Sequence, residues 1–312
     1  MSEAKSPIAK PPAARLPPPV RPGDRVGVAA LSGPVDPERL RLGLDALERL
    51  GFTPVVARNV AAREGFFAGP DAERLAAFHE LAADPTLAAI LFSRGGHGVL
   101  RILPGIDWDL LAARPRAYVG FSDLTPFLLG VVRRLGLVAF HGPMVAADLA
   151  RGQSPEEKAS FLGALAGEYP VVHPLAGALR GGVARGTLLG GCLSLLVATL
   201  GTPYALDFED ALLLLEDVGE PPYRIDRMLT QLRLAGAFDR LAGLVVGHLD
   251  DRVRPLASPE EWRDLLTDAL GRFTWPVGIG HNSGHRSPNW TLPLGLPAQL
   301  DAEAGRLTLG VA

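Results

Sequence analysis

The first 150 residues alternate short apolar runs with amphipathic segments, and this alternation constrains the fold more than any other feature of the sequence. Apolar runs of strand length occur at residues 25–31, 52–58, 87–93, 117–121 and 137–144. Segments with helical periodicity follow three of these runs, at residues 36–50, 70–84 and 125–136. Alternating strands and helices predict a parallel sheet with right-handed crossovers. A functional site is then expected beyond the carboxyl ends of the strands.

The second half of the chain carries a similar but more mixed pattern. Strand-like runs occur within 184–192 and at 211–220, 241–249 and 275–281, and helical segments at 193–200, 221–237 and 258–273. The final segment, 296–312, has the pattern of a β-hairpin. Between the halves, one short helix is expected at 155–166, followed by an extended connector marked by proline and glycine.

These patterns predict an α/β protein with two domains. The N-terminal domain, residues 23–150, is expected to be a parallel-sheet domain of flavodoxin- or amidotransferase-like type. A smaller mixed α/β domain is expected at 181–312, with a linker at 151–180. Residues 1–22 are rich in proline and are expected to form a flexible tail.

Composition excludes several classes of function. The net charge of −3 does not suggest binding to nucleic acid or to an anionic membrane. The single cysteine, Cys192, lies in an apolar stretch, which indicates a buried structural thiol in a reducing compartment. No apolar segment approaches the ~18 residues needed to span a bilayer, and the N-terminus lacks a signal-peptide pattern. We therefore expect a cytoplasmic protein.

Motifs for metals and cofactors are missing from the sequence. It contains no HExxH motif and no paired cysteines, so we expect no metal. The RGGHG motif at 94–98 lacks the lysine of a phosphate-binding P-loop. It also follows the third strand rather than the first, which does not favour a dinucleotide site. We expect no cofactor.

Ser122 stands where the fourth strand turns sharply into a helix. A serine on such a turn can be a nucleophile, because backbone N–H groups there also point at a developing oxyanion. The surrounding GFSDL departs from G-x-S-x-G, since the second glycine of that motif is missing. Helix capping by Ser122 or Asp123 is the commoner role for such residues. This stretch alone therefore favours a cap and leaves the nucleophile open.

Acids and histidines supply candidate partners for a serine nucleophile. Glu216 ends an apolar strand and could orient a histidine or act as an anion at a helix start; Asp217 and Glu220 compete for either role. His285 lies in a loop rich in glycine and proline, a better catalytic position than an apolar face. The other histidines are weaker candidates: His79 is expected at the surface of a helix, and His141 and His248 at strand ends, where they could donate to carbonyls.

Together these segments resemble the LD-carboxypeptidase family of serine peptidases, also called muramoyltetrapeptide carboxypeptidases. In the first half the resemblance is carried by PGDRVGVAALSGPV, FFAGPDAERLAAFHELAADPTLAAILFSRGGHG, VGFSDLTPFLLG and FHGPM. In the second half it is carried by GGCLSLLVATLGTP, LLLLEDVGEPPYRIDRMLTQL and GHRSPNWTLPLG. The resemblance extends from about Pro22 to the C-terminus.

The resemblance implies a catalytic triad of Ser122, Glu216 and His285 in a cleft between two domains, and so reverses the preference for a cap at Ser122. The expected substrate is a murein tetrapeptide, from which terminal D-alanine is released during peptidoglycan recycling. A homodimer in the cytoplasm is implied as well. His97 departs from the family, whose members often have tyrosine there.

Three further roles are predicted from position. The backbone N–H of Asp123 and one from the Gly95–Gly96 turn would form the oxyanion hole. Arg94 would bind the free carboxylate of the substrate, although a structural bridge to a carboxylate is an equal alternative.

Two other functions remain open from the sequence. One is a peptidase resembling the microcin C immunity proteins, which cleaves aminoacyl-nucleotide toxins. It ranks second, because no aromatic loop near 180–210 offers an adenine a stacking partner. The other is a two-domain protein that binds a small solute without chemistry, although most such proteins are exported.

Overall fold

The computed structural model describes residues 14–250 and 259–311, which form two sheets with helices around them. The strands are β1 (Arg25–Ala29), β2 (Thr53–Val56), β3 (Leu87–Phe92), β4 (Ala117–Gly120), β5 (Ala139–His141), β6 (Val171–Pro174), β7 (Gly177–Arg180), β8 (Val183–Cys192), β9 (Ala211–Val218), β10 (Gly243–Asp250), β11 (Val277–Ile279), β12 (Leu292–Leu294), β13 (Pro297–Asp301) and β14 (Arg306–Leu309). The helices are α1 (Pro37–Arg49), α2 (Asp71–Ala83), α3 (Val99–Ile102), α4 (Trp108–Ala113), α5 (Thr125–Leu135), α6 (Pro155–Ala166), α7 (Leu193–Thr199), α8 (Pro222–Leu234) and α9 (Pro259–Leu270).

The first sheet has the order β12-β5-β4-β3-β1-β2, and its strands are parallel except for β12. Its central strands β3 and β4 are almost wholly buried, as expected for a sheet covered by helices on both faces. The predicted α/β class and the parallel N-terminal sheet are confirmed. Helices α3 and α4 were not predicted, because they are too short to show helical periodicity.

The second sheet has the order β6-β14-β13-β8-β9-β10-β11-β7. Strands β8 to β11 pair in parallel, and the strands outside them pair antiparallel, so the sheet is mixed as predicted. Strands β13 and β14 form the predicted hairpin. The predicted helix in the connector is α6, but the extended part of the connector supplies β6 and β7, which lie at the two edges of this sheet.

Two predicted boundaries differ from the structure. Strand β12, from the C-terminal part of the chain, completes the first sheet, where Leu292 pairs with His141. Residues 14–22 are packed rather than loose: the Arg15 amide donates to Gly136 at 2.9 Å, and Val20 is buried. The rest of the expected tail, residues 1–13, and Ser258 at the start of the predicted 258–273 helix lie outside the described residues.

The parallel strands of both sheets end at a shared groove. Strand β4 leads into Ser122 and β9 contains Glu216, and Cys192 at the end of β8 pairs with Glu216. The Cys192 amide donates to Thr125 Oγ1 at 3.1 Å, which joins the second sheet to the start of α5. Among the described residues, no helix is both long and apolar enough to cross a membrane.

Candidate active site

The backbone at Ser122 has a left-handed conformation, with φ of 62°. A non-glycine residue rarely adopts this conformation, and where it occurs it often marks a functional site. The turn runs through a short 3₁₀ segment, Ser122–Leu124, directly into α5. A strained strand-to-helix turn of this kind presents a serine side chain outward from the sheet.

Neither Ser122 nor Asp123 caps the helix that follows. In the described chain, neither the 3₁₀ segment nor α5 donates a backbone hydrogen bond to the side chain of its N-cap residue. The Asp123 carboxylate instead accepts from the Val99 amide at 3.0 Å, so it caps α3. The common structural explanation for Ser122 therefore fails.

Glu216 and His285, two of the predicted site residues, form a close pair. The Nδ1 atom of His285 lies 2.8 Å from Oε2 of Glu216. Glu216 is fully buried, whereas the His285 side chain is 15% exposed. Glu216 was expected at a partly buried rim, but it lies inside β9 with neighbours on both sides.

The electrostatics of the pair favour charge on Glu216. Burial works to raise the pKa of Glu216, but His285, His141 and His248 outweigh it, so the pKa lies below its usual value. An ionised carboxylate only accepts hydrogen bonds, so the proton lies on Nδ1 of His285. Burial works to lower the pKa of His285, but Glu216 outweighs this effect and the pKa is raised. Nε2 is then the ring atom available to take a proton.

The competing acids Asp217 and Glu220, and also His281, are engaged elsewhere. Asp217 accepts from the Ser194 amide at 2.7 Å, at the start of α7, and Glu220 pairs with Arg224 at 3.2 Å. His281 is fully buried, and its Nε2 lies 3.1 Å from Nδ1 of His173. The structure thus separates Glu216 and His285 from their competitors.

The predicted oxyanion residues lie against Ser122. A Cβ atom added at Gly95 would be 3.0 Å from Ser122 Oγ and 3.6 Å from the Asp123 amide nitrogen. Only a glycine permits this approach, which explains the residue at this position. Gly96 follows with φ of 124°, a conformation that also favours glycine.

These residues share a cleft of about 390 Å³. Its lining residues are Asp36, Arg39, Arg94, Gly95, Gly96, Phe121, Ser122, Met144, Ala146, Ala147, Asp148, Arg151 and His285. The ring of Phe121 contacts that of His285 edge to face, with centroids 4.9 Å apart. Ser122 and His285 therefore line the same cleft, and His285 is hydrogen-bonded to the buried Glu216.

Arg94 lies in this cleft and its guanidinium donates to the carbonyls of Gly95 and Pro34, at 3.1 and 3.3 Å. Within residues 14–250 and 259–311, these contacts are with carbonyl oxygens and no ion pair involves Arg94. The alternative of a structural bridge to a carboxylate is not what the structure contains.

Other charged cleft residues were missed by the sequence analysis. Arg39 reaches the cleft from α1 and donates to the carbonyls of Ala146 and Ala147. Asp148 and Arg151 lie 3.5 Å apart, and Asp148 belongs to one π-helical turn, Val145–Leu149. Such turns occur often at functional sites. No local pattern predicts one, because it depends on packing against α1.

Glu157 of α6 holds the loop that carries His285. This carboxylate is 1% exposed and accepts from the Asn289 amide and from Arg151, both at 2.8 Å. It also forms a capping box with Ser154. Asn289 in turn accepts from the Gly284 amide at 3.0 Å, next to His285. The connector helix thus positions the loop that carries His285.

Among the residues that the structure describes, no group of three or more His, Cys, Asp or Glu side chains is arranged to hold a metal. A two-sheet α/β fold with a strained serine and an acid–imidazole pair at one cleft is typical of hydrolases. Comparison with known families makes this class specific. The chain belongs to the LD-carboxypeptidase family, whose N-terminal domain matches residues 26–142 and whose C-terminal domain matches residues 185–300.

Relatives extend over nearly the whole chain. A Streptomyces coelicolor protein named as a carboxypeptidase is 43% identical over 92% of this chain and 94% of its own length. A murein tetrapeptide carboxypeptidase of Pseudomonas aeruginosa is 33% identical, covering 89% of this chain and 93% of the relative. The microcin C7 self-immunity protein of Escherichia coli is 26% identical over 93% of this chain and 94% of its own.

A solved structure agrees with this assignment. The muramoyltetrapeptide carboxypeptidase of Oxalobacter formigenes superposes with a TM-score of 0.81 at 30% identity, covering 91% of this chain and 97% of that one. The family and these relatives support a peptidase.

Proposed function

We propose that this protein is a serine carboxypeptidase that releases terminal D-alanine from murein tetrapeptides during peptidoglycan recycling. Ser122 is the nucleophile, His285 the base and Glu216 the acid that orients it. The proposal depends on one observation above all: a serine with left-handed backbone lines the same cleft as an imidazole that is paired with a buried carboxylate. The murein tetrapeptide carboxypeptidase among the relatives supports the choice of substrate.

The reaction proceeds by acyl transfer. Nε2 of His285 takes the Ser122 hydroxyl proton as Oγ attacks the amide carbonyl that precedes D-alanine. Glu216 holds Nδ1–H and stabilises the imidazolium. His285 then returns the proton to the amine of the departing D-alanine. Water attacks the resulting ester, and the carboxylate product leaves while Ser122 regains its proton.

The backbone stabilises the charge that develops on the carbonyl oxygen. We assign this role to the N–H of Asp123 and one from the Gly95–Gly96 turn, because both segments abut Ser122. One such donor typically lowers the activation barrier by about 3 kcal/mol. Arg94 binds the free carboxylate of terminal D-alanine, since its guanidinium lies in the cleft and its contacts are neutral carbonyls.

The proposal also covers the cellular location of the protein and its oligomeric state. The family resemblance implies a cytoplasmic murein tetrapeptide as substrate, so we place the enzyme in the cytoplasm. We also propose a homodimer, as the family resemblance implies. Light scattering on the purified protein tests the assembly, and a mass of one chain would contradict it.

Ser122→Ala tests the function directly. Purified wild type should convert tetrapeptide to tripeptide plus D-alanine, and the variant should lose this activity by at least ~10³-fold, since the nucleophile is gone. Mass spectrometry measures both products, and circular dichroism checks that the variant is folded. Turnover at the wild-type rate by folded Ser122→Ala would refute the proposal.

A second candidate is hydrolysis of aminoacyl-nucleotide toxins, because the microcin C7 self-immunity protein is similar over nearly the full chain. We rank it below the carboxypeptidase. Of the residues that line the cleft, only Phe121 and His285 carry rings, and Tyr204 contacts Arg134 instead. Assay of an aminoacyl-nucleotide beside the tetrapeptide separates the two: a higher kcat/KM for the nucleotide would favour the second candidate.

A further inference from the structure

His141 is a buried histidine whose role the catalytic scheme leaves open. It ends β5 and is fully buried. Within the described residues, neither of its ring nitrogens has a hydrogen-bond partner. The sequence analysis suggested that it could donate to a carbonyl, and no such bond is formed. Buried polar groups without partners are rare and call for an explanation.

A second atom without a partner lies in the same cluster. Oε1 of Glu216 accepts no hydrogen bond in the described part of the chain, although Oε2 pairs with His285. Leaving a buried carboxylate oxygen without a donor is costly, because it has lost its hydration. A donor and an acceptor, each unpaired and each fully buried, therefore occur beside one active site.

Phe121 connects His141 with the catalytic pair. Strand β5 runs beside β4, where His141 pairs with Gly120. The ring of Phe121 contacts His141 with centroids 5.4 Å apart and His285 with centroids 4.9 Å apart. His141 thus packs behind the turn that carries Ser122.

The charges around the cluster agree with this placement. Burial lowers the pKa of His141 to about 4, with Glu216 acting to raise it and His285 to lower it. A neutral imidazole has one N–H donor and one acceptor. The titratable groups His285, His141, His248 and Cys192 interact electrostatically with Glu216. His285 and His141 also interact with each other. His281 is a further neighbour of His141.

We propose that His141 is a positioning residue that donates its ring N–H to Oε1 of Glu216 through one bridging water molecule. The bond fixes the carboxylate so that Oε2 remains directed at Nδ1 of His285. His141 touches no reacting atom in this role and acts only through Glu216. The test of this inference by enzymatic activity rests on the proposed function. Its test by spectroscopy does not.

Two substitutions separate the hydrogen bond from packing. His141→Phe keeps a ring but removes the donor, and His141→Gln keeps a donor. Without the donor, Glu216 becomes more basic and holds the His285 proton more firmly. We expect kcat/KM to fall about 10- to 100-fold in His141→Phe, the effect of one hydrogen bond to a charged group. The acid limb of its pH–rate profile, where kcat/KM falls at low pH, should move to higher pH. His141→Gln should restore both kcat/KM and the position of this limb.

His173→Phe is the matched control. His173 is also buried, but its ring contacts His281 and Trp290 rather than Phe121. It should leave kcat/KM and the acid limb unchanged. The inference is overturned if His141→Phe matches wild type, if His141→Gln behaves like His141→Phe, or if the control shifts the limb equally.

A spectroscopic measurement can use protein that keeps His141. It therefore needs neither enzymatic activity nor a folded His141 variant. In ¹⁵N-histidine spectra of Ser122→Ala, His141 should remain one neutral tautomer from pH 5 to 8, with a slowly exchanging N–H. Titration of His141 in that range, or exchange between tautomers, would refute the bond. Because no substrate is involved, this result is independent of whether the protein cleaves murein peptides.

Discussion

At the scale of single residues, the site depends on three local departures from ordinary protein structure. Ser122 has a left-handed backbone, Glu216 is an ionised carboxylate with no exposure, and His285 has a raised pKa despite its burial. Each is unfavourable in isolation. Together they are compatible. The Glu216 anion offsets the effect of burial on the pKa of His285, and the imidazole donates a hydrogen bond to that anion.

Glu216→Gln should change both the rate and its pH dependence. Activity requires neutral His285, so wild-type kcat/KM should fall as the pH drops through a pKa above the usual 6.5 of histidine. Without the anion, only the weaker influence of Asp217 and Asp148 opposes burial, so the pKa of His285 should fall and the acid limb should move to lower pH. The plateau should fall about 10³- to 10⁴-fold, as for amide replacement of a triad acid.

Profiles of kcat/KM between pH 5 and 9 measure both effects. An acid limb that stays in place in Glu216→Gln would show that Glu216 does not set the pKa of His285. Glu220→Gln is a suitable control, because Glu220 pairs with Arg224 rather than with a histidine.

At the scale of elements, the cleft depends on the close approach of α1 to the Val145–Leu149 turn. Gly43 lies on the buried face of α1, and a Cβ added there would be 2.1 Å from the Val145 carbonyl oxygen. The same two elements carry Asp36, Arg39 and Asp148 into the cleft. Their separation therefore sets the geometry of the cleft wall.

Gly43→Ala should destabilise the protein although alanine favours helices. The methyl group must push α1 away from a backbone carbonyl, and overpacking of this kind typically costs about 1–3 kcal/mol. KM should rise as well, because the cleft wall moves. Gly163→Ala in α6 is the control: its Cβ would meet only the end of the Glu168 side chain, at 3.3 Å. Alanine there should be neutral or stabilising by up to ~1 kcal/mol.

Thermal and urea unfolding of both variants measure this difference. Equal stabilities for Gly43→Ala and Gly163→Ala would contradict the close packing of α1 described above.

At the scale of the whole molecule, the two sheets enclose several neutral histidines. Burial lowers the pKa of His141 and of His173 to about 4, and that of His281 well below its usual value. The unfolded chain binds protons at these positions near pH 6.5, whereas the folded protein does not. Folding is therefore penalised as the pH falls below that value.

The thermal midpoint should accordingly fall between pH 6.5 and about 4. Each histidine contributes up to about 1.4 kcal/mol per pH unit in this window. His285, Asp148 and Asp217 act in the opposite direction, because their pKa values are raised. Calorimetry at several pH values checks the slope, which should be shallower in His173→Phe. A midpoint that is flat from pH 7 to 5 would contradict this account.

Much of the architecture was predictable because it depends on local patterns. Buried parallel strands are continuous apolar runs, and β1, β3 and β4 were found on that basis. The 93–98 and 122–123 segments were placed at strand ends for the same reason. The pairing of β12 with β5 was not predictable, since a three-residue strand has no periodicity and its partner lies far away in sequence.

The amino-acid sequence by itself determined the α/β class, the order of most elements and, through family motifs, the candidate residues Ser122, Glu216 and His285. Only the tertiary structure decided that Ser122 is not a cap, that Glu216 is fully buried where it meets His285, and that Asp217 serves α7. The physical reason is the range of the interactions involved. Strand and helix patterns arise from neighbours along the chain. The state of a buried charge depends on groups that folding brings together from distant segments.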